Sequence, residues 1–324
     1  MRLLSIRLVY VIAVGALLSG PASAVPQRTQ TFALQAGWNA VFLRVQPEAP
    51  TPALLFDGTP IDIVACYFTP HSTVQFLQDP DEKPWNEPGW LVWYASRRPD
   101  AFLSNLLNVA THRPYLIHAE RDFSWTISGD VSFQRVRWQS NAFNLVSFDL
   151  VPDNPPVFAD FFAGSQAHEQ QRFYRLIDGR WTLVTNPATA VMASAEAYWV
   201  YCKGASTFQG PLDVNVRDSG QLTFTAGATH RRCRIGNTGI NPAAVTVHRT
   251  GPLAVFYGTM DYTTLSYTTH RLGDSLSLRV LEPGEKEDVR LDVESSEAGT
   301  QEALLEIRHD AGARAMVPMV LTAP

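Results

Sequence analysis

Cysteine is scarce in this 324-residue chain, with only Cys66, Cys202 and Cys233, far apart in sequence. An odd, widely spaced set excludes a scaffold built on disulfides. One bridge stays open in an oxidising compartment, and Cys202 with Cys233 is the pairing expected. The equal alternative is three buried thiols that pack as small hydrophobes. Charge is also low, at 18% Asp, Glu, Lys and Arg. The formal charge is −5 and no basic run occurs, so nucleic acid is excluded as a partner, because phosphate neutralisation needs clustered cations. No two Cys or His stand at metal-ligand spacing, so no metal and no cofactor is expected. Motifs for nucleophilic or phosphate chemistry are missing too. There is no G-x-S-x-G elbow, P-loop, dinucleotide fingerprint or H-E-x-x-H. Ser206, after Gly204-Ala205, lacks the second glycine of an elbow. Asp79, Asp81 and Glu82 sit beside aromatics, but on a Pro-rich stretch that would not hold a carboxylate pair at fixed separation.

Long apolar runs are confined to the N-terminus. Arg2 and Arg7 flank an apolar segment, Leu8 to Leu18, and Ala22-Ser23-Ala24 supplies small residues for cleavage. This pattern predicts a Sec-type signal peptide over 1–24, cleaved after Ala24, and a periplasmic or extracellular mature protein. Loss of Arg2 and Arg7 takes the charge to about −7. No later stretch approaches the length of a membrane span, so none is expected after cleavage.

What the sequence does contain is short alternating runs and a repeat. Twenty Gly and 22 Pro imply many turns. The stretch TFALQAGWNAVFLRVQPEAP returns about 105 residues later as WQSNAFNLVSFDLVPDNPP. Phe143-Asn144 then stands for Trp38-Asn39, and Pro152 for Pro47. Each copy runs into a short Pro-led helical segment, from Pro52 and from Pro156. Each also ends alike, with Tyr115 matching Tyr198 and Gly129 matching Gly210. The repeat predicts two related β-rich units, 25–134 and 135–214. In both, the Asn is suited to cap a turn with its side chain, and the aromatics are suited to the core. Within unit two, Asp178-Gly179 between alternating runs predicts a hairpin. Asp100 is expected to cap a short helix carrying Phe102, Leu103, Leu106 and Leu107.

From about 215 the strands become short and regularly spaced. Leu276, Leu278 and Val280 are expected on one face, Val289, Leu291 and Val293 on another, and Val317, Met319 and Leu321 in the last strand. This spacing predicts a β-sandwich over 215–324. The segments IGNTGINPAAVTV, LEPGEKEDVRLDV and ALLEIRHDAGARAMVPMVL resemble immunoglobulin-like modules of the Hydin and BACON type. The resemblance implies a non-catalytic spacer, binding or assembly module. The duplicated region resembles the "GWN" repeats at the front of secreted bacterial proteins, which implies architecture and location but no activity. The fold expected is mainly β, with two duplicated units carrying short helical insertions and then an immunoglobulin-like sandwich.

One feature could be a site. Trp85, Trp90, Trp93 and Tyr94 crowd into ten residues, and aromatic faces stack on sugars or anchor protein partners. The expectation is that at least two of these rings are exposed. The function expected is an exported, non-enzymatic binding or assembly protein, with protein partners of the cell envelope favoured over glycans. The alternative is a carbohydrate-binding or carbohydrate-active protein using the Trp85/Trp90/Trp93 loop.

Overall fold

The computed structural model describes residues 25–67, 90–217, 220–261, 263–294 and 299–323. The proposed leader, Trp85, Asp79, Asp81 and Glu82 lie outside these residues. The chain is mainly β, as expected. Among the described residues no helix is long and apolar enough to cross a membrane.

Unit one contains β1 (Gln27–Leu34), β2 (Gly37–Leu43), β3 (Val45–Pro47), α1 (Pro52–Phe56), β4 (Ile61–Tyr67), β5 (Trp90–Tyr94), β6 (Arg113–Ala119) and β7 (Phe123–Val131). Gly37, at φ 93°, lets β1 turn directly into β2. Strand β7 pairs antiparallel with β1 from Gln27↔Asp130 to Leu34↔Phe123 and with β3 on its other side. The second sheet runs β2-β6-β4-β5. Between the two sheets lie Phe32, Leu43, Phe56, Val64, Trp93 and Trp125.

Unit two contains β8 (Ala142–Val146), α2 (Phe158–Phe162), β9 (Phe173–Ile177), β10 (Arg180–Leu183) and β11 (Tyr198–Cys202). Its sheet order is β10-β9-β11-β8. In both units the strands therefore lie first, fourth, second, third. The repeat is thus a repeat of topology, and two side-chain devices are repeated with it. Asn39 Oδ1 accepts from the Gln35 N–H at 2.9 Å while its Nδ2 donates to the Gln35 and Gly37 carbonyls. Asn144 does the same with Gln139 and Ala142. The Tyr115 hydroxyl bonds both the N–H and the carbonyl of Ala110, and the Tyr198 hydroxyl both those of Ala193. Asp178 and Gly179, both at positive φ, close the predicted hairpin β9–β10.

The units pack through equivalent faces. Trp38 and Phe143, Ala40 and Leu145, and Leu116 and Trp199 are repeat equivalents, and all lie in one apolar layer between the sheets. This is the geometry of an isologous dimer within one chain. The edge of β2 is closed by residues 195–197: Phe42 N–H donates to Ala195 O and Ala197 N–H to Ala40 O. Strand β4 has protein on both faces, and all seven of its residues are buried. That explains why IDIVACY shows no alternation.

The last part contains β12 (Leu212–Val216), β13 (Leu222–Thr225), β14 (His230–Asn237), β15 (Val245–Thr250), β16 (Val255–Asp261), β17 (Ser266–Arg271), β18 (Ser275–Ser277), β19 (Lys286–Val293), β20 (Gly299–His309) and β21 (Arg314–Ala323). They form two five-stranded sheets, β12-β14-β19-β16-β17 and β13-β21-β20-β15-β18. Only β13–β21 is parallel. Val289, Leu291, Val293, Val317, Met319 and Leu321 are all buried. Val280 is not; it is 57% exposed, because β18 ends at Ser277 and Leu281 takes the buried place.

Strand β12 straddles the 214/215 division, pairing with β14 from Leu212↔Asn237 to Val216↔Cys233. One core runs from Phe158, Phe162, Phe173 and Val200 of unit two into the sandwich. The helix expected after Asp100 is a single 3₁₀ turn, Ala101–Leu103, with Phe102 82% exposed. Asp100 does not cap it, because its carboxylate is held by Arg98 Nε at 2.9 Å. Ser104 and Asn105 instead accept from the backbone N–H groups of Tyr94 and Val92. The segment is thereby stitched along the edge of β5 and cannot coil.

Candidate functional site

The aromatic cluster is not a surface. Trp90 is 2%, Trp93 6% and Tyr94 7% exposed. In β5 the side chains alternate, so Trp90 and Tyr94 enter the layer between the units while Trp93 enters the core of unit one. Trp90 packs on Tyr67 at 5.1 Å between ring centroids and Trp93 on Phe56 at 5.3 Å. With these three rings buried, the expectation of at least two exposed rings fails. The expected bridge is absent as well: Cys66, Cys202 and Cys233 are all free and buried. Cys202 closes β11, its thiol toward the Gly204 carbonyl at 3.3 Å, while Cys233 packs inside the sandwich. Burial pushes the Cys66 and Cys233 thiols up to about 12.

Ser165 Oγ and His168 Nδ1 stand 2.6 Å apart, which resembles a nucleophile with its base. Both are buried, and the imidazole is boxed in by Trp138, Phe162 and Phe208 at 4.3–5.8 Å. Burial pushes His168 down to about 4, and the neutral ring holds the turn after α2 through Ser165.

A cleft of about 570 Å³ lies at the meeting point of all three parts. Its wall combines β1 and β2, the connector 132–141, the end of β8, and the start of β21. Six arginines line it: Arg28, Arg44, Arg113, Arg135, Arg137 and Arg314. Asp149 is the single carboxylate of the wall. It accepts from Arg314 Nε at 3.0 Å and Nη2 at 2.7 Å, and lies 3.8 Å from Arg44 Nε. Burial alone would raise this carboxyl, but Arg44, Arg314 and Arg28 together hold it below the usual carboxylate value. Burial lowers Arg44, and the positive charges of Arg314 and Arg28 add to that against the pull of Asp149. Arg44 Nη2 donates to Ser147 Oγ at 3.1 Å.

The connector is held in place by side chains. Arg135 pairs with Asp213 at 2.5 Å and donates to the Val214 carbonyl. The Val136 N–H donates to Gln209 Oε1 and its carbonyl accepts from Gln209 Nε2. Trp138 Nε1 donates to the Phe208 carbonyl at 2.7 Å. The connector is therefore fixed beside the cleft, and the guanidinium groups of the wall have planar forks that suit carboxylate and phosphate oxygens.

No family model matches the chain, and no curated protein matches it. Among solved structures it is similar in part to the CsuC-CsuE chaperone–tip adhesion subunit pre-assembly complex of Acinetobacter baumannii, at 16% identity and a TM-score of 0.20. That match covers 32% of this chain and 53% of that one, about half its length. A PapD-like domain of human CEP192 matches at 11% identity, covering 35% of this chain and 85% of that one, with a TM-score of 0.22. The N-terminal domain of PorA matches at 16%, covering 35% and 96%, with a TM-score of 0.24. At these scores the likenesses carry no argument about function.

The cleft was not anticipated from the sequence. Its arginines come from segments between positions 28 and 314, and no local motif joins them. One signal was present: Lys83, Lys203 and Lys286 are the only lysines among 26 basic residues. Such a preference for arginine fits sites where the forked group is needed.

Proposed function

We propose that this chain is an exported binding or assembly protein of the periplasm or cell surface, without catalytic activity, and that it engages a cell-envelope protein through the arginine-lined cleft. The observation that carries this reading is the position of the cleft. A partner seated there touches both repeat units and the sandwich at once, so all three parts contribute to one binding surface. Residues 1–24 serve as a leader cleaved after Ala24, which N-terminal sequencing of the secreted chain tests directly. The carbohydrate reading loses Trp90 and Trp93, which are buried.

The test uses the chain from residue 25 as bait against an envelope extract, beside Arg28→Glu and Arg137→Glu. Both residues line the cleft and neither makes an ion pair among the described residues. The expected result is a defined partner retained by the native bait and lost from both variants, which stay folded. Recovery of the same proteins by all three baits would refute the reading.

A further inference from the structure

The charge in the cleft does not balance. Arg314 is answered by Asp149 and by Glu306 at 3.1 Å, and Arg135 by Asp213. Arg44 shares Asp149 with Arg314 and has no other acid among the described residues. Arg28 and Arg137 make no ion pair among the described residues, although they come from separate segments of the wall. Two further polar atoms of the wall, Arg44 Nε and Thr111 Oγ1, are buried without a hydrogen-bond partner. Native proteins satisfy nearly all such atoms, and Arg44 Nε has the Asp149 carboxylate only at ion-pair distance, 3.8 Å. The chain as a whole carries −5, so this concentration of positive charge runs against its overall sign. A cleft with low-dielectric walls focuses such a field and draws in counter-charge. A volume of about 570 Å³ falls within the usual range for a ligand pocket.

We propose that the cleft binds a multivalent oxyanion: two or more carboxylates, or a phosphate, presented together. This rests on the reading of the cleft as the binding site and names what it recognises. Multivalence rests on the wall: Arg28 and Arg137, neither in an ion pair among the described residues, sit on different segments, and the one lining carboxylate, Asp149, already faces Arg28, Arg44 and Arg314. The anion can be a free small molecule or an acidic stretch of a protein partner. The recognition chemistry is the same for both.

Isothermal titration of the chain from residue 25 separates the sources. The probes are citrate, inorganic phosphate and a hexaglutamate peptide, with acetate and chloride at matched ionic strength as controls. Saturable binding of at least one multivalent probe is expected. Its affinity should fall about tenfold or more in Arg28→Ala/Arg137→Ala, a loss of about 1.4 kcal/mol or more. It should hold in Arg234→Ala, whose guanidinium is exposed on the sandwich and paired with Asp288. Citrate or phosphate as the tight probe identifies a small ligand; hexaglutamate identifies an acidic protein segment. No saturable heat with any of the three, or equal affinity in the double variant, overturns the proposal. Partner capture that persists without anion binding overturns this inference alone. Anion binding without partner capture overturns the assembly reading and leaves this one standing.

Discussion

Replacing Asp149 with Asn removes one buried charge and leaves the shape of the side chain nearly unchanged. In the native chain this carboxylate accepts two hydrogen bonds from Arg314 and faces Arg44 at 3.8 Å. Hydrogen bonds to charged groups contribute about 1.5–3 kcal/mol each, and Asn retains an oxygen that recovers part of this. The larger effect is that Arg44 and Arg314, with side chains 14% and 5% exposed, then face each other without a counter-charge. Breaking a buried pair in this way costs about 3–5 kcal/mol, and about 3 is expected here, since Glu306 still answers Arg314. The assay is urea unfolding at pH 7, followed by tryptophan fluorescence. The midpoint should fall with the slope unchanged. Adding Arg44→Met should restore about 1–2 kcal/mol by removing the like charge. The sign with pH is fixed by the lowered carboxyl. Its contribution is complete above the unfolded value near 3.8 and is lost as pH falls through the lower folded value. The gap between native and variant should therefore be full at neutral pH and close only below pH 4. A loss under about 1 kcal/mol at pH 7, or no recovery with Arg44→Met, would refute the claim that Asp149 neutralises this cluster.

Tyr115→Phe and Tyr198→Phe should each cost about 1–3 kcal/mol, because each hydroxyl satisfies two backbone groups. Tyr198 should cost more, since its single proton is shared between the Ala193 carbonyl at 3.2 Å and the charged Glu196 Oε2 at 2.9 Å; equal and negligible losses in urea unfolding would count against the repeated clamp. In the native chain at pH 8 no thiol should react with a disulfide reagent within minutes, and three should react in denaturant. A native reaction of Cys202 or Cys233 would contradict their burial. Stability should decline as pH falls from 6.5 towards about 4, because the depressed values of His168 and His112 mean that the unfolded chain takes up those protons first. His168→Gln should flatten part of that slope, and an unaltered slope would show that the His168 ring is not held neutral.

The readable parts of this fold are those in which function of a residue is local. Asn39 and Asn144 close turns four and five residues back, and Tyr115 and Tyr198 bond backbone five residues back. A repeat of spacing was therefore a repeat of structure. The Asp178-Gly179 hairpin was legible for the same reason. Misreadings arose where a distant partner decided the outcome. Trp90, Trp93 and Tyr94 looked like a surface cluster because they are dense, but β5 has protein on both faces and needs apolar groups on each. Phe102, Leu103 and Leu107 have helical spacing, yet Ser104 and Asn105 were committed to the edge of β5, and those three apolar side chains are left exposed. Cys202 and Cys233 are in different sheets, a separation that spacing does not reveal. The cleft is the extreme case, since the Asp149–Arg314 contact spans 165 residues.

The two units began from one plan but are not completed in the same way, and the cleft follows from that difference. Unit one covers its helix face with its own sheet β1-β7-β3. Unit two has no such sheet. Its counterpart of the end of β7 is β12, which pairs with β14 of the sandwich. Its counterpart of β3 lies at 150–152, where Leu150 bridges Ala313 and the Val151 N–H donates to Gly312 O. The sandwich thus supplies the second layer that unit two lacks, and Phe158, Phe162 and Val200 share one buried core with it. The connector 132–141 must then pass from β7 to β8 along the seam between unit one and this composite body. It is pinned there by Gln209, Asp213 and the Phe208 carbonyl. The connector has no regular strand pairing there, and residues 132–137 and 139 line the gap. Arg135 and Arg137 are among them, and Arg28, Arg44 and Arg314 meet them from the flanking segments. The basic cleft is a consequence of how the sandwich completes the second repeat, and it could not exist in either repeat unit alone.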